Sequence, residues 1–98
     1  MYCHGVGLFL DNPKLNTFVD NNEQKKFSRF YLIFTRTINN RKEHHKLLCE
    51  IWGTAAEYIV ANFQAGEKIN ILDSIARVVN CENNQNVVFR INDFSKSI

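Results

Sequence analysis

The sequence predicts an all-β domain with one helix, its five strands closed into a small barrel. Three observations carry this expectation. Apolar residues recur at every second position in 27–36, 46–52 and 87–94, the period of a strand with one buried face. One stretch, 54–64, carries apolar residues at helical spacing instead. The chain's 98 residues hold one domain (1–98) with one modest core and no room for a second.

The elements follow in order. Residues 1–10 read as a first strand, in which Gly5 and Gly7 mark a bulge, a bend or a close backbone approach. Asp11-Asn12-Pro13 is a turn signal, and the polar stretch 16–26 reads as a loop. In the second strand, 27–36, Phe30, Leu32 and Phe34 share one face, and Arg29, Tyr31, Ile33 and Thr35 share the other. A polar, basic loop is expected over 37–45. The third strand, 46–52, sets Leu47, Cys49 and Ile51 against Lys46, Leu48, Glu50 and Trp52.

Gly53 ends that strand. Thr54 and Glu57 have the spacing of a capping box, in which each side chain satisfies an amide at the helix start. Ala56, Ile59, Val60 and Phe63 then line one helical face, and Gly66 is placed to stop the helix in the left-handed conformation. A β-branched strand is expected over 68–79, a turn-rich loop over 80–86 and a last strand over 87–94. Three strands, a helix and two strands is the order of the OB-fold barrel, with the short helix plugging one end.

Composition narrows the function classes. No apolar run approaches the length that spans a bilayer, and the start is too polar for a secretory signal. Three scattered cysteines, Cys3, Cys49 and Cys81, do not make a disulfide scaffold, so a reducing compartment is expected. Abundant Asn, Ile, Lys and Phe is consistent with AT-rich coding. The net charge is only +2, but its distribution is uneven. Residues 25–46 hold seven bases (Lys25, Lys26, Arg29, Arg36, Arg41, Lys42, Lys46) against one acid, Glu43. Such a local stripe is the electrostatic footprint that a polyanion needs.

The motifs resemble those of bacterial-type single-stranded DNA-binding proteins. Gly7-Leu8-Phe9-Leu10-Asp11-Asn12-Pro13-Lys14-Leu15 is similar to that family's first strand and turn, with Asn12 where Asp is usual. Phe30-Tyr31-Leu32 followed by Arg36 resembles its second strand. Cys49-Glu50-Ile51-Trp52-Gly53-Thr54-Ala55-Ala56-Glu57 is the nearest match, and Phe63-Gln64-Ala65-Gly66-Glu67-Lys68-Ile69-Asn70-Ile71 resembles the run after the helix. The chain also departs from the pattern. Leu72-Asp73-Ser74-Ile75 lacks the usual Gly and Arg. Ile38, Lys46 and Asn80 stand where bases are often stacked, and only Trp52 keeps an aromatic there.

The resemblance implies sequence-tolerant binding of single-stranded DNA in replication, recombination or repair. It also implies a homodimer or homotetramer joined through residues 1–7, in a bacterial cytoplasm or nucleoid, or in a plastid or mitochondrion. Such binding needs cations along the phosphates and flat rings under the bases. The expected cations are Lys25, Lys26, Arg29, Arg36, Arg41, Lys42 and Lys46, and the expected rings are Tyr31 and Trp52. Glu50, on the same face, is expected to repel phosphate. Residues 95–98 carry no acidic run, so recruitment of partners through an acidic tail is not expected. The alternatives are a protein-interaction or assembly subunit, of the primosome-accessory kind, with weakened DNA binding, and an RNA binder. No cofactor is expected. Neither Cys3-His4 nor His44-His45 with Cys49 has metal-finger spacing, and no nucleophile or phosphate-loop motif points to an enzyme.

Overall fold

The computed structural model of the chain describes residues 5–81 and 84–96. Six strands and one helix follow one another: β1 (Gly5–Phe9), β2 (Asn16–Asp20), β3 (Glu23–Ile38), β4 (Arg41–Trp52), α1 (Thr54–Asn62), β5 (Lys68–Cys81) and β6 (Asn84–Lys96). The strand count is therefore six, not the five expected from the sequence. The extra strand, β2, lies in the stretch read as a loop.

Doubled asparagines explain this difference and a second one. Asn21 and Asn22 take φ of 50° and 66°, and Asn39 and Asn40 take 50° and 64°. Two consecutive residues at positive φ make the tight hairpin turn whose twist matches the flanking strands, and Asn tolerates that region better than most residues. The first pair folds β2 back on β3, with Asp20 opposite Glu23. The second folds β3 back on β4, with Ile38 opposite Arg41. The expected loop at 37–45 is thus a two-residue turn at the end of a long ribbon. The expected loop at 80–86 is likewise mostly strand, since β5 runs to Cys81 and β6 starts at Asn84.

The sheet closes on itself. β1 pairs with β3 (Gly7 opposite Phe34) and with β5 (Gly7 opposite Ile69). β3 pairs with β4, β4 runs parallel to β6 at Cys49–Phe89 and Glu50–Arg90, and β6 pairs with β5. The circuit β1-β3-β4-β6-β5 returns to β1, and β2 extends the far end of β3. Closure draws β1 close to β3. A side chain at Gly7 would sit 3.0 Å from Phe34 Cζ and 3.1 Å from Leu32 Cβ, which is why glycine stands there.

Inside the circuit lie Phe9, Phe30, Leu32, Cys49, Ile51, Ile69, Phe89 and Ile91, capped by Ala56 and Ile59 of the helix and by Phe63 just after it. Burying each large apolar side chain contributes about 1.5–3 kcal/mol, so this cluster is the main favourable term. Phe9 packs its ring 4.9 Å from Phe30 and 5.2 Å from Phe63.

The helix ends differ from the expected caps. Gly53, at φ 76°, is the N-cap, and no side chain caps the first turn. Thr54 is the first helical residue, and Glu57 reaches Lys26 Nζ at 2.6 Å rather than back to the cap. Gly53 is anchored instead by its N–H donating to Lys26 O at 2.8 Å. The helix stops at Asn62, with Phe63 extended (φ −128°). Gly66 does take positive φ (88°), but in the following loop, where its N–H donates to Phe9 O. Asn12 holds the same loop by accepting from Ala65 N at 2.7 Å.

In β5 the alternation breaks once. Register shifts lie between Ile71 and Asp73 and between Asp73 and Ser74. A bulge reverses which residues face inward. Ile69 and Ile71 are buried before it, Ser74 is buried after it, and Ile75 is 56% exposed. No described helix is long and apolar enough to cross a membrane. The first four residues, and with them Cys3, His4 and most of the expected subunit-pairing segment, lie outside the described residues. Gly7, the last residue of that segment, already has partners on both sides.

Candidate nucleic-acid interface

The outward faces of β3 and β4 bring five of the nine expected residues together. Alternation and register place Arg29 opposite Glu50, Tyr31 opposite Leu48, Ile33 opposite Lys46 and Phe27 opposite Trp52, all facing away from the core. Lys46 Nζ lies 4.5 Å from the centre of the Tyr31 ring. Trp52 stacks on Phe27 at 4.7 Å and 26°, meets Phe18 edge-on at 6.4 Å, and has the Arg90 guanidinium 5.4 Å from its centre. Lys25, opposite Phe18, joins this end of the face. It lies 3.9 Å from Asp20.

The other four are distributed elsewhere. Lys42 shares the outward phase but stands near the ribbon tip, opposite Thr37. Arg36 and Arg41 have the opposite phase and point to the other side of the ribbon, Arg36 opposite Glu43. Lys26 turns toward the helix and is tied to Glu57. The stripe that is continuous in sequence is therefore divided between two faces, and part of it is neutralised by acids from outside the window.

The face also holds residues that the sequence did not mark. Arg77 of β5 donates through Nε to Glu50 Oε1 at 2.9 Å, and Arg29 Nε donates to Oε2 at 3.0 Å. Glu50 is fully buried between them. The expected repulsion of phosphate by Glu50 is corrected by this arrangement, because two guanidiniums enclose one carboxylate and leave a net positive group. Arg77 faces outward only because the β5 bulge reverses the alternation, and no local sequence signal shows that reversal. Arg90 was legible in principle: it alternates with the buried Phe89 and Ile91. Phe18 would have been marked had Asn21-Asn22 been read as a turn, and Phe27 has the same odd-numbered outward phase as Arg29 and Tyr31 in the expected second strand.

Two hollows flank the buried carboxylate. An open groove of about 520 Å³ runs under Trp52 between Lys25, Lys26, Glu57 and Arg90. A smaller one, about 250 Å³, lies beside Tyr31, Lys46 and Leu48. Trp52 Nε1 is buried and has no hydrogen-bond partner among the described residues. Among those residues, no three His, Cys, Asp or Glu side chains converge as a metal ion would need. Cys49 is buried in the core, and His44 Nδ1 lies 2.9 Å from Thr35 Oγ1.

This closed sheet has known counterparts. It superimposes on the SSB domain of a protein from Synechococcus sp. with a TM-score of 0.68, at 11% identity, over 94% of this chain and 90% of that one. The chain has the fold of a single-stranded DNA-binding domain. The small single-stranded DNA-binding protein from Streptomyces coelicolor matches with a TM-score of 0.57, at 12% identity, over 100% of this chain and 94% of that one. At these identities the likeness is one of fold. No family model matches the chain, and no curated protein sequence matches it.

Proposed function

We propose that the chain binds single-stranded DNA without sequence preference, through the outward face of β3 and β4 with the adjoining strands β6 and β5. One observation carries this reading. Arg29, Lys46, Arg77 and Arg90 gather around the rings of Tyr31 and Trp52 on one face, and the carboxylate among them, Glu50, is buried. Cations serve the phosphates and rings serve the bases, so neither depends on base identity. The shared fold of the two single-stranded DNA-binding proteins supports the reading. Assembly into a homodimer or homotetramer, and protection of DNA during replication, recombination or repair, extend the same proposal.

The single tryptophan provides the test. Oligo-dT is titrated against Trp52 fluorescence at several salt concentrations. Quenching is expected, with log affinity falling against log salt at a slope of about −0.7 per phosphate neutralised. Absence of both quenching and binding at low salt overturns the proposal. A parallel titration with oligo-U separates DNA from RNA binding. One observation favours the protein-interaction alternative: Phe27 and Arg90 already occupy the Trp52 ring, which a base would have to share. Fluorescence that does not change on adding oligo-dT would point to that alternative.

A further inference from the structure

Glu50 is the one buried carboxylate among the described residues. A charge withdrawn from water is strongly unfavourable unless it is paired and hydrogen-bonded. Glu50 meets that condition twice. Its Oε2 accepts from Arg29 Nε at 3.0 Å, and its Oε1 accepts from Arg77 Nε at 2.9 Å with Arg77 Nη2 at 2.8 Å. Stability alone does not account for the arrangement, because replacing a buried ion cluster with apolar side chains is often neutral or stabilising. What the cluster provides that apolar packing cannot is a fixed pair of guanidiniums.

Those guanidiniums retain binding capacity. Each has five N–H donors; Arg29 gives one to Glu50 and Arg77 offers two. Their side chains remain 39% and 42% exposed, so the other donors can meet a ligand. Their position is also specific. Tyr31 lies two residues along β3 from Arg29, on the same face, and Trp52 lies two residues along β4 from Glu50. The pair therefore stands between the two ring-bearing hollows. A ligand suited to two neighbouring forks is an anion with two acceptor oxygens, and the linkage between two stacked bases is such an anion.

We infer that Arg29 and Arg77 form one phosphodiester-binding site between Tyr31 and Trp52, with Glu50 as the positioning residue that holds both arginines ready. The inference rests on the proposed binding of single-stranded DNA and adds to it the specific place where a phosphate sits. It has an unusual consequence. Removing a negative charge from a DNA-binding face ordinarily tightens binding. Here Glu50→Gln, which makes the chain more positive, weakens it, because the released arginines must be ordered again at each encounter.

The test is a labelled oligo-dT anisotropy titration of the full chain. Glu50→Gln is expected to lower affinity about tenfold, which is the scale of one charge-assisted bidentate contact. In an Arg29→Met/Arg77→Met background the same change is expected to cost nothing further. Equal or tighter binding by Glu50→Gln overturns the inference. Should Glu50→Gln fail to fold, Arg77→Lys keeps the charge and removes the fork. It is expected to weaken binding to a similar extent, and unchanged binding overturns the inference. Arginine Nε–H resonances followed during addition of inorganic phosphate keep the two proposals separate. Shifts at Arg29 and Arg77 in the wild type but not in Glu50→Gln support the site even where oligo-dT does not bind. No shift in the wild type overturns the site even where oligo-dT does bind.

Discussion

Trp52 has two environments at once. Phe27 stacks on its ring and Arg90 lies over it, while the groove beside it opens between Lys25 and Glu57. Trp52→Leu is expected to lower oligo-dT affinity by about 5- to 150-fold, the range of one base–aromatic stack of roughly 1–3 kcal/mol. Anisotropy of a labelled oligonucleotide checks this without the lost fluorophore. At Gly7 the constraint is steric. A methyl group would meet the Phe34 ring and the Leu32 Cβ, and the latter is fixed by the backbone and cannot swing away. Gly7→Ala is expected to cost about 1–3 kcal/mol in urea unfolding, through overpacking. Trp52 was legible in the sequence as an outward ring, and Gly7 as a bulge, a bend or a close approach, of which the structure shows the close approach. The covering of Trp52 was not, because Arg90 comes to it from a strand about forty residues away.

Among elements, the two ribbons built on paired asparagines are the most instructive. Polarity made 16–26 and 37–45 look like loops, yet both are hairpins whose strands are wet on both faces near the tip. Hydrophobic alternation signals burial rather than extension, and a ribbon that projects beyond the core has none to signal. The asparagine pairs were the available cue, since consecutive positive φ is what the tight turn demands. Asn40, at φ 64°, would be better served by glycine. Asn40→Gly is expected to raise stability by about 0.5–1 kcal/mol, seen as a higher urea midpoint with unchanged oligo-dT affinity. The helix was well placed by its periodicity, but its caps were not, because Gly53 takes the N-cap position that Thr54 was expected to fill and Glu57 pairs with Lys26 across the fold.

On the scale of the whole molecule, the stripe of seven bases becomes a question of which side each base faces. Strand alternation and the β3–β4 register put Arg29 and Lys46 with Tyr31 and Trp52, and turn Arg36 and Arg41 to the other side. Charge reversal therefore separates the faces. Lys46→Glu is expected to reduce oligo-dT affinity at low salt at least about tenfold more than Arg36→Glu or Arg41→Glu, whose effect is long-range and screened. Equal losses from all three would show that the strand follows the ribbon edge and not its outward face. The sequence reading reached the closed sheet through element order and local resemblance. Arg29, Tyr31, Lys46 and Trp52 were legible from alternation within β3 and β4, but the pairs that complete the face, Glu50 with Arg77 and Trp52 with Arg90, join distant parts of the chain.

The irregularity after Ile71 bears on how this protein tolerates change. A scan of every substitution along β5 is expected to read with one parity before the bulge and the opposite parity after it. At Ile69 and Ile71, polar replacements should be rejected. At Ser74, which is buried, large ones should be rejected instead, while the odd-numbered Ile75 should accept lysine or glutamate freely. Counting alternate residues from either end gives the wrong half of that map. The partner strand breaks step at the same level, between Asp93 and Ile91, so a relative that lost one residue from each strand could keep every side chain facing as it does here and yet align one position out of step along the whole distal ribbon.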